Sequence, residues 1–471
     1  MLENFDDDKK EPLLVNKGVQ TDEIIEGLIE NGQNKYYLKK RSNEFKRMRS
    51  STEDFSFQLF FRPIKHGSLR SSIFCMICVT LGTGMLPLPY FLRTNGLILT
   101  FIMYCFCSIP TYITLQLLIK MSYEFKTYDF VGLVNKVYND ENKYMEIYAI
   151  IVLLINSFGS IIMWDVFITQ FVRDILVYIN PVYSTDINVV YITILLLIFI
   201  QIPLAVYQNK EKKEFDILAT IGILQIIYVI IILLIEFPYY ASENFNLAYM
   251  GKKTTYFNFN MKMVEMPFIF FIAFGNHSTI LSSINEVKNK NSQNVLNVGK
   301  RTFFSEFFIY IIILFLNFFS TYNKTSEIFL MRPNLTFLMF IGEFFMIILM
   351  ICNINLYYFT TMPTLEYLLN DSNEFTEKQN YLASFTVLTC LMFGSFYIVE
   401  VDSILTFLGV TAQVSLIFII PISMYIKWKE NEMYFIKKII LYTLIFFFSI
   451  LGIGGFIIMF MNQFTEVIES P

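Results

Sequence analysis

The chain carries little charge for its length. Of its 471 residues, 16% are Asp, Glu, Lys or Arg, whereas soluble domains carry about a quarter. Hydrophobic residues make up 55% of the sequence and are gathered into long runs. This composition disfavours a soluble globular protein and is typical of a multi-pass integral membrane protein in a lipid bilayer.

Histidine is scarce as well, since the sequence holds two, His66 and His277. An imidazole-rich metal site cannot be built from them, and the sequence shows no nucleotide-binding loop and no nucleophile–base pairing. We therefore expect neither an enzyme nor an ATP-driven pump, and no metal, cofactor or nucleic-acid partner. The first 70 residues are polar and charged, so no signal peptide is predicted.

Eleven apolar runs are each close to the length that a membrane helix needs, about 20 residues. The predicted fold class is an all-α integral membrane protein with eleven transmembrane helices in residues 71–462. A largely disordered tail precedes them at 1–70, and a short tail follows at 463–471. The runs are 71–92, 97–119, 146–170, 188–207, 215–237, 263–284, 303–319, 336–359, 381–399, 403–426 and 437–461.

The connections that share a side with the N-terminus are richer in Lys and Arg than those on the other side. The positive-inside rule then places the N-terminus in the cytosol. The membrane is expected to be either the plasma membrane or a vacuolar or lysosomal membrane. Glycosylation sequons at Asn323 and Asn334 fall in a loop on the outer side. The basic stretch Lys39–Arg49 either contacts anionic lipid headgroups or serves only to fix the topology.

Two of the runs are interrupted at mid-depth. The first contains LGTGMLPLPYFLRTNG, Leu81–Gly96, whose glycines and prolines disfavour a continuous helix. The sixth contains Ala273–Ser278, where a glycine, an amide, an imidazole and a hydroxyl follow one another. Non-helical backbone at membrane depth requires protein or an aqueous cavity to satisfy its N–H and C=O groups. The breaks are either kinks that shape helix packing or the walls of a binding site.

Runs one and six occupy corresponding places in two sets of five. Because five is odd, the sets begin on opposite sides of the membrane, as in a 5+5 inverted repeat, and the eleventh run is an extra helix. In such a repeat, free N–H groups at one broken end can hold a carboxylate. Free C=O groups at the other can accept hydrogen bonds from an ammonium. An α-amino acid presents both groups on one carbon, so the pattern predicts an amino acid site.

Three segments resemble the amino acid/auxin permease family: Gly82–Gly96, Phe271–Lys288 and Ile404–Lys427. The resemblance covers about residues 66–462. It implies a LeuT-like fold of the APC type, an amino acid substrate, and secondary active transport, as symport or antiport, coupled to H⁺ or Na⁺. It also implies a substrate site formed by Thr80, Gly82, Thr83, Gly84, Met85, Phe274, Gly275, Asn276 and His277.

Other polar residues lie within the apolar runs. Asp165, Asn353 and Asn355, together with His277, are candidates for ion or proton coupling, although His277 could equally be a packing residue and Asp165 a helix cap. Asn156, Ser160 and Gln413 either line a cavity or join helices. Two other functions stay open. One is an amino acid sensor that signals through the N-terminal tail with little flux, and the other is a carrier of other small amines or zwitterions.

Overall fold

The computed structural model describes most of the chain from residue 67 onward. The basic stretch Lys39–Arg49 and the sequons at Asn323 and Asn334 lie outside the described residues. Within the described part, the regular elements are helices. The described ranges are 67–139, 143–182, 188–208, 214–244, 256–321, 328–331, 336–369, 376–395 and 401–469.

Each of the eleven apolar runs corresponds to one helix or to a succession of shorter helical segments. The helices before the middle of the chain are α1 (Leu69–Gly84), α2 (Leu88–Asn95), α3 (Leu97–Phe125), α4 (Phe130–Tyr138), α5 (Lys143–Ile179), α6 (Asn188–Gln208) and α7 (Glu214–Asn244). Those that follow are α8 (Lys262–Phe274), α9 (Ile280–Asn285), α10 (Ser292–Thr321), α11 (Phe337–Leu369), α12 (Glu377–Ser395), α13 (Val401–Leu408), α14 (Ile420–Trp428) and α15 (Phe435–Glu469).

Six helical segments in the described residues are long and apolar enough to cross a membrane: α3, α5, α10, Phe337–Tyr358 of α11, Ser403–Trp428 and Phe435–Met461 of α15. The total of eleven spans stays a prediction. Burial separates two of the six, because 78% of the apolar window of Ser403–Trp428 is covered by protein but only 17% of that of Phe435–Met461. The tenth run is therefore central and α15 is peripheral.

The first and sixth runs are broken where the sequence predicts. Helix α1 ends at Gly84 and α2 begins at Leu88. Pro87 and Pro89 lie at the start of α2, where a missing N–H costs nothing and a fixed φ suits the first turn. Helix α8 ends at Phe274 and α9 begins at Ile280, so five residues of the sixth run are non-helical.

The tenth run departs from regular α-helix in a way that the sequence did not predict. Between α13 and α14 it forms two π-helical turns, Gly409–Gln413 and Ser415–Ile419. Such turns are frequent at functional sites. Gly409 also lies against α8, since a Cβ added there would be 2.6 Å from the carbonyl oxygen of Phe268. The absence of a side chain at Gly409 thus lets the tenth run pack directly on the backbone of α8.

The short helix α4 is amphipathic and lies outside the long helices. Asp129 caps its first turn, accepting a hydrogen bond from the backbone N–H of Gly132 at 2.6 Å. Its apolar face is buried, and Asn139 ends it in the left-handed conformation, with φ of 53°. This helix places Asp129 beside α5 and the break in the sixth run.

Candidate functional site

Helix α10 contacts both breaks through Tyr310. The phenol oxygen of Tyr310 donates to the carbonyl of Thr80 at 3.1 Å or to that of Ala273 at 2.7 Å. These two carbonyls belong to the last turns of α1 and α8, where helical partners for C=O groups run out. One buried hydroxyl therefore joins the two broken helices at the points where they end.

Glu306 lies one helical turn before Tyr310 on the same face of α10 and reaches the same two breaks. Its carboxylate is fully buried. The amide nitrogen of Asn276 donates to both carboxylate oxygens, at 3.0 Å and 2.8 Å. The hydroxyl of Thr80 contacts one of the same oxygens. The carboxylate thus holds a side chain of α1 and a side chain of the sixth-run break together.

The two breaks also touch directly at Gly84. A Cβ added to Gly84 would lie 2.7 Å from the Cα of Ala273 and 2.9 Å from the phenol oxygen of Tyr310. Only glycine fits this approach of one backbone to another. Gly82, one half-turn earlier, faces α11 instead, where a Cβ would lie 3.0 Å from the amide nitrogen of Asn353.

A second polar group joins the sixth-run break to the third and tenth runs. The amide of Asn156 on α5 donates to the hydroxyl of Ser278 at 3.3 Å. The amide of Gln413, in the first π turn, donates to the carbonyl oxygen of Asn156 at 2.8 Å. The phenol of Tyr357 on α11 also hydrogen-bonds Ser278. Side chains of α5 and α11 therefore meet at the hydroxyl of one break residue, and the tenth run joins them through Asn156.

A cavity of about 20 Å³ begins at this group and extends toward the start of α4. Its lining is mostly hydroxyl groups, with one carboxylate at Asp129. The polar lining suits a small zwitterion, but a volume close to that of one water molecule means that the cavity must widen to admit one. The lining residues are Asp129, Phe130, Leu153, Ser157, Ser278, Thr279, Ser282, Tyr357, Thr361 and Thr364.

The predicted substrate residues do not form one open chamber. Thr80 and Asn276 are held by Glu306, while Met85 and Phe274 are fully buried. A Cβ on Gly275 would collide with the amide oxygen of Gln413. The side chain of Thr83 lies outside the described residues. The predicted roles toward a substrate stay predictions.

The predicted coupling residues lie in three separate places. His277 lies in the sixth-run break and is buried, with Nε2 at 3.1 Å from the hydroxyl of Thr114 on α3. The amide of Asn353 donates to the carbonyl of Cys78 on α1 at 3.4 Å. Asn355 instead bonds its own helix, at the carbonyl of Ile351.

Two predicted polar residues of α5 remain. Asp165 is buried and faces the amide of Gln201 on α6. It lies nine residues from Asn156, roughly 13 Å along the helix, so it is not part of the group at the break. Ser160 is buried one turn from Asn156.

Glu306 and Tyr310 were missed by the sequence analysis. A signal existed, because an acidic residue within a hydrophobic run is costly at membrane depth and is usually functional. Glu306 lies near the start of the run at 303–319. A carboxylate at that place is as consistent with the polar end of a membrane span as with a functional site inside it. Tyr310 offers no local signal, since its partners are 37 and 230 residues away in sequence.

Comparison with known proteins gives a family match and relatives that match over part of their length. The family model described as "Transmembrane amino acid transporter protein" matches residues 65–463. A candidate amino acid transporter, AAT1, of Plasmodium berghei (strain Anka) is 26% identical over 155 residues, 31% of this chain and 24% of that protein. The sodium-coupled neutral amino acid symporter 2 of Danio rerio is 25% identical over 193 residues, 40% of this chain and 38% of that protein. The matched segments span less than half the length of these relatives.

Solved structures match over more of the chain. Two mutants of a manganese transporter of Eremococcus coleocola superpose with TM-scores of 0.50, at 7% and 8% sequence identity. Each match covers 86% of this chain and 88% of the solved one. At this level of identity the likeness shows the fold alone, which is LeuT-like.

Proposed function

We propose that the chain carries amino acids across a membrane. The proposal starts from the match over residues 65–463, which shows that the chain belongs to the transmembrane amino acid transporter family. This membership confirms the resemblance found in the sequence. It also agrees with the prediction of a transporter in place of an enzyme.

One observation carries the proposal. The helices of the first and sixth apolar runs are interrupted, and their ends are joined by Tyr310, with a polar cavity beside the second break. Interrupted helices that meet at the midplane are the usual binding sites of secondary transporters. A pair of kinks that served only packing would not require a hydroxyl-lined cavity.

The substrate is proposed to move between the cavity and the two breaks. Backbone groups at Gly82–Met85 would receive its carboxylate, and Phe274–His277 its amino group and side chain. Asn156, Ser160 and Gln413 would line the path from the cavity. Since Gly84 and Ala273 are in contact, the two breaks must separate for a substrate to enter between them.

The membrane arrangement belongs to the same proposal. Eleven spans in residues 71–462 would form a 5+5 inverted repeat and one peripheral helix, and one five-helix unit would rock against the other. The tail at 1–70 would be cytosolic, with Lys39–Arg49 near anionic lipid, and the chain would end at 463–471 outside the cell or in a lumen. The membrane would be the plasma membrane or that of a vacuole or lysosome.

Transport is proposed to be coupled to H⁺ or Na⁺. The sodium-coupled relative supports Na⁺, and the amide oxygen of Asn353 is buried beside α1 without a hydrogen-bond donor among the described residues. His277 and Asp165 are candidates for H⁺. Asn355 is a weaker candidate for Na⁺, because its amide bonds the backbone of its own helix.

Uptake by purified protein tests the proposal. Proteoliposomes that contain the full chain should take up radiolabelled amino acids well above empty liposomes, across a panel of the twenty. Amines that lack a carboxylate should not compete, because the carboxylate is expected to be bound. Absence of uptake and exchange for every amino acid would contradict transport. If binding persisted without flux, the sensor interpretation would replace it.

A further inference from the structure

Glu306 is a buried acid without a basic partner among the described residues. Its hydrogen-bond partners there are the neutral side chains of Thr80 and Asn276. Its titratable neighbours are two phenols, of Tyr104 on α3 and of Tyr310. A buried carboxylate that lacks a counter-charge is costly, and taking up a proton removes that cost.

Charged groups on the elements around Glu306 lie away from it along the helices. Arg70 precedes Thr80 by ten residues on α1, roughly 15 Å. His277, next to Asn276, directs Nε2 at Thr114. On α10 itself, Lys300 and Arg301 are exposed and precede Glu306 by six and five residues, roughly 9 and 8 Å along the helix. Other charged residues on the surrounding elements also lie outside the breaks, and they include Arg93 in α2, Lys120 and Glu124 on α3, Glu214, Asp216 and Glu236 on α7, Lys262 and Glu265 on α8, and Glu286 after α9.

The hydroxyl of Thr80 can adapt to either protonation state of Glu306. Its oxygen lies 2.9 Å from the carbonyl of Met76, one turn earlier on α1, and also contacts the carboxyl oxygen of Glu306. A hydroxyl has one proton to donate. When Glu306 is ionised, Thr80 donates to it. When Glu306 is protonated, it donates to Thr80, and Thr80 turns its proton to Met76.

The same geometry opposes a metal cation at this site. Hard cations need several oxygen ligands, but both carboxylate oxygens of Glu306 face the amide nitrogen of Asn276 at 3.0 Å or less. An N–H donor there repels a cation. A proton needs only a carboxyl oxygen and an acceptor, and Thr80 provides the acceptor.

We propose that Glu306 is the proton-binding group that couples amino acid transport to a proton gradient. This inference rests on the proposed function. The proton binds the carboxyl oxygen that faces Thr80 and leaves from it on the other side of the membrane. Because the carboxyl holds α1 and the sixth-run break together, its protonation changes how the two breaks are joined. Differential proton affinity of the two arrangements is what coupling requires.

Gradient-driven accumulation in proteoliposomes tests the inference, with equal sodium on both sides. Wild type should concentrate its amino acid by up to about tenfold per unit of inward pH difference, if one proton moves with one substrate. In Glu306→Gln, whose amide cannot take up a proton, the accumulation ratio should fall to one while exchange of internal for external amino acid stays measurable. Glu343→Gln is the matched control, because Glu343 is an equally buried acid on α11.

Each outcome separates the two proposals. Gradient-driven accumulation by Glu306→Gln, or an equal loss in Glu343→Gln, would overturn the role of Glu306 and leave transport intact. Wild-type exchange without a response to pH would do the same. Loss of all uptake and exchange in wild type would instead overturn the proposed function.

A second variant covers the case in which Glu306→Gln does not fold. Glu306→Asp retains a titratable carboxyl and should retain accumulation with a shifted dependence on pH. Size-exclusion chromatography identifies the folded variants. A folded Glu306→Asp protein that responds to pH as wild type does in every respect would contradict a direct role for Glu306.

Discussion

Gly84 and Ala273 meet backbone to backbone, since a methyl group built on Gly84 would lie 2.7 Å from the Cα of Ala273. The end of one broken helix therefore rests on the end of the other. Any side chain at Gly84 must push the two helix ends apart or displace the hydroxyl of Tyr310, whose oxygen lies 2.9 Å from the position of that methyl group. This contact is the part of the site most sensitive to added volume.

We predict that Gly84→Val abolishes uptake. The added side chain prevents the two breaks from closing on each other, and overpacking of this kind costs about 1–3 kcal/mol. The measurement is initial uptake per molecule of reconstituted protein, with the melting temperature recorded beside it. Gly454→Val is the control, because a Cβ at Gly454 on α15 would meet nothing within 4 Å. Normal uptake by Gly84→Val would contradict the close approach as a functional feature.

The breaks could be predicted from sequence because their cause is local. Glycine and proline disfavour a helix wherever they stand, so Gly82, Gly84 and Pro87 mark the first break without knowledge of its neighbours. The polar sequence Gly275–Ser278 marks the second in the same way. For these segments a pattern of a few residues contains the physical reason for the structure.

The partners of the breaks could not be predicted, because their cause is long-range packing. Glu306 reaches Thr80 across 226 residues of sequence, and nothing in the residues around Glu306 specifies which helix end it meets. The π turns at Gly409–Ile419 likewise depend on how the tenth run packs against Phe268. Asp165 shows the converse, since its charge and depth suggested a site but it lies away from the breaks.

We predict that Tyr310→Phe lowers both stability and transport. The substitution removes one hydroxyl and leaves the carbonyls of Thr80 and Ala273 without their buried donor, at a cost of about 1–3 kcal/mol. Uptake should fall because the two helix ends are no longer joined. Thermal melting and initial uptake rates measure the two effects.

The control for that substitution is Tyr228→Phe. Its hydroxyl also donates to a backbone carbonyl, that of Leu338, at 2.9 Å, but at an exposed position away from the breaks. Loss of this bond should leave uptake close to wild type. Equal effects of the two substitutions would mean that Tyr310 has no special role.

We predict that Asn156 and Gln413 are energetically coupled. Their side chains share a buried hydrogen bond of 2.8 Å between the third and tenth runs. A double-mutant cycle with Asn156→Ala and Gln413→Ala should give an interaction energy of about 0.5–3 kcal/mol in unfolding stability. Additive effects would show that the bond contributes nothing. Tyr148 and Ser415, which bond each other at 2.7 Å between the same two runs, provide a second cycle for comparison.

We predict that the hydroxyl-lined cavity is open to water in the structure seen here. Ser282→Cys places a thiol in its lining, so a charged thiol reagent should modify it and reduce uptake. Excess amino acid should slow the modification if the substrate passes through the cavity. Wild type is the background control, and its rate is subtracted, because the exposed Cys390 and the half-buried Cys105 and Cys352 can react with the reagent, whereas Cys75, Cys78 and Cys107 are buried.

The position of a second cysteine makes the accessibility prediction specific to the cavity. Ser320→Cys places the thiol near the end of α10, at a buried position that does not line the cavity. It should react no faster than the wild-type background, because a charged reagent cannot enter packed protein. If Ser282→Cys and Ser320→Cys reacted at the same rate, the reagent would be reporting general loosening of the helices, and the cavity could not be the route by which water and substrate reach the sixth-run break.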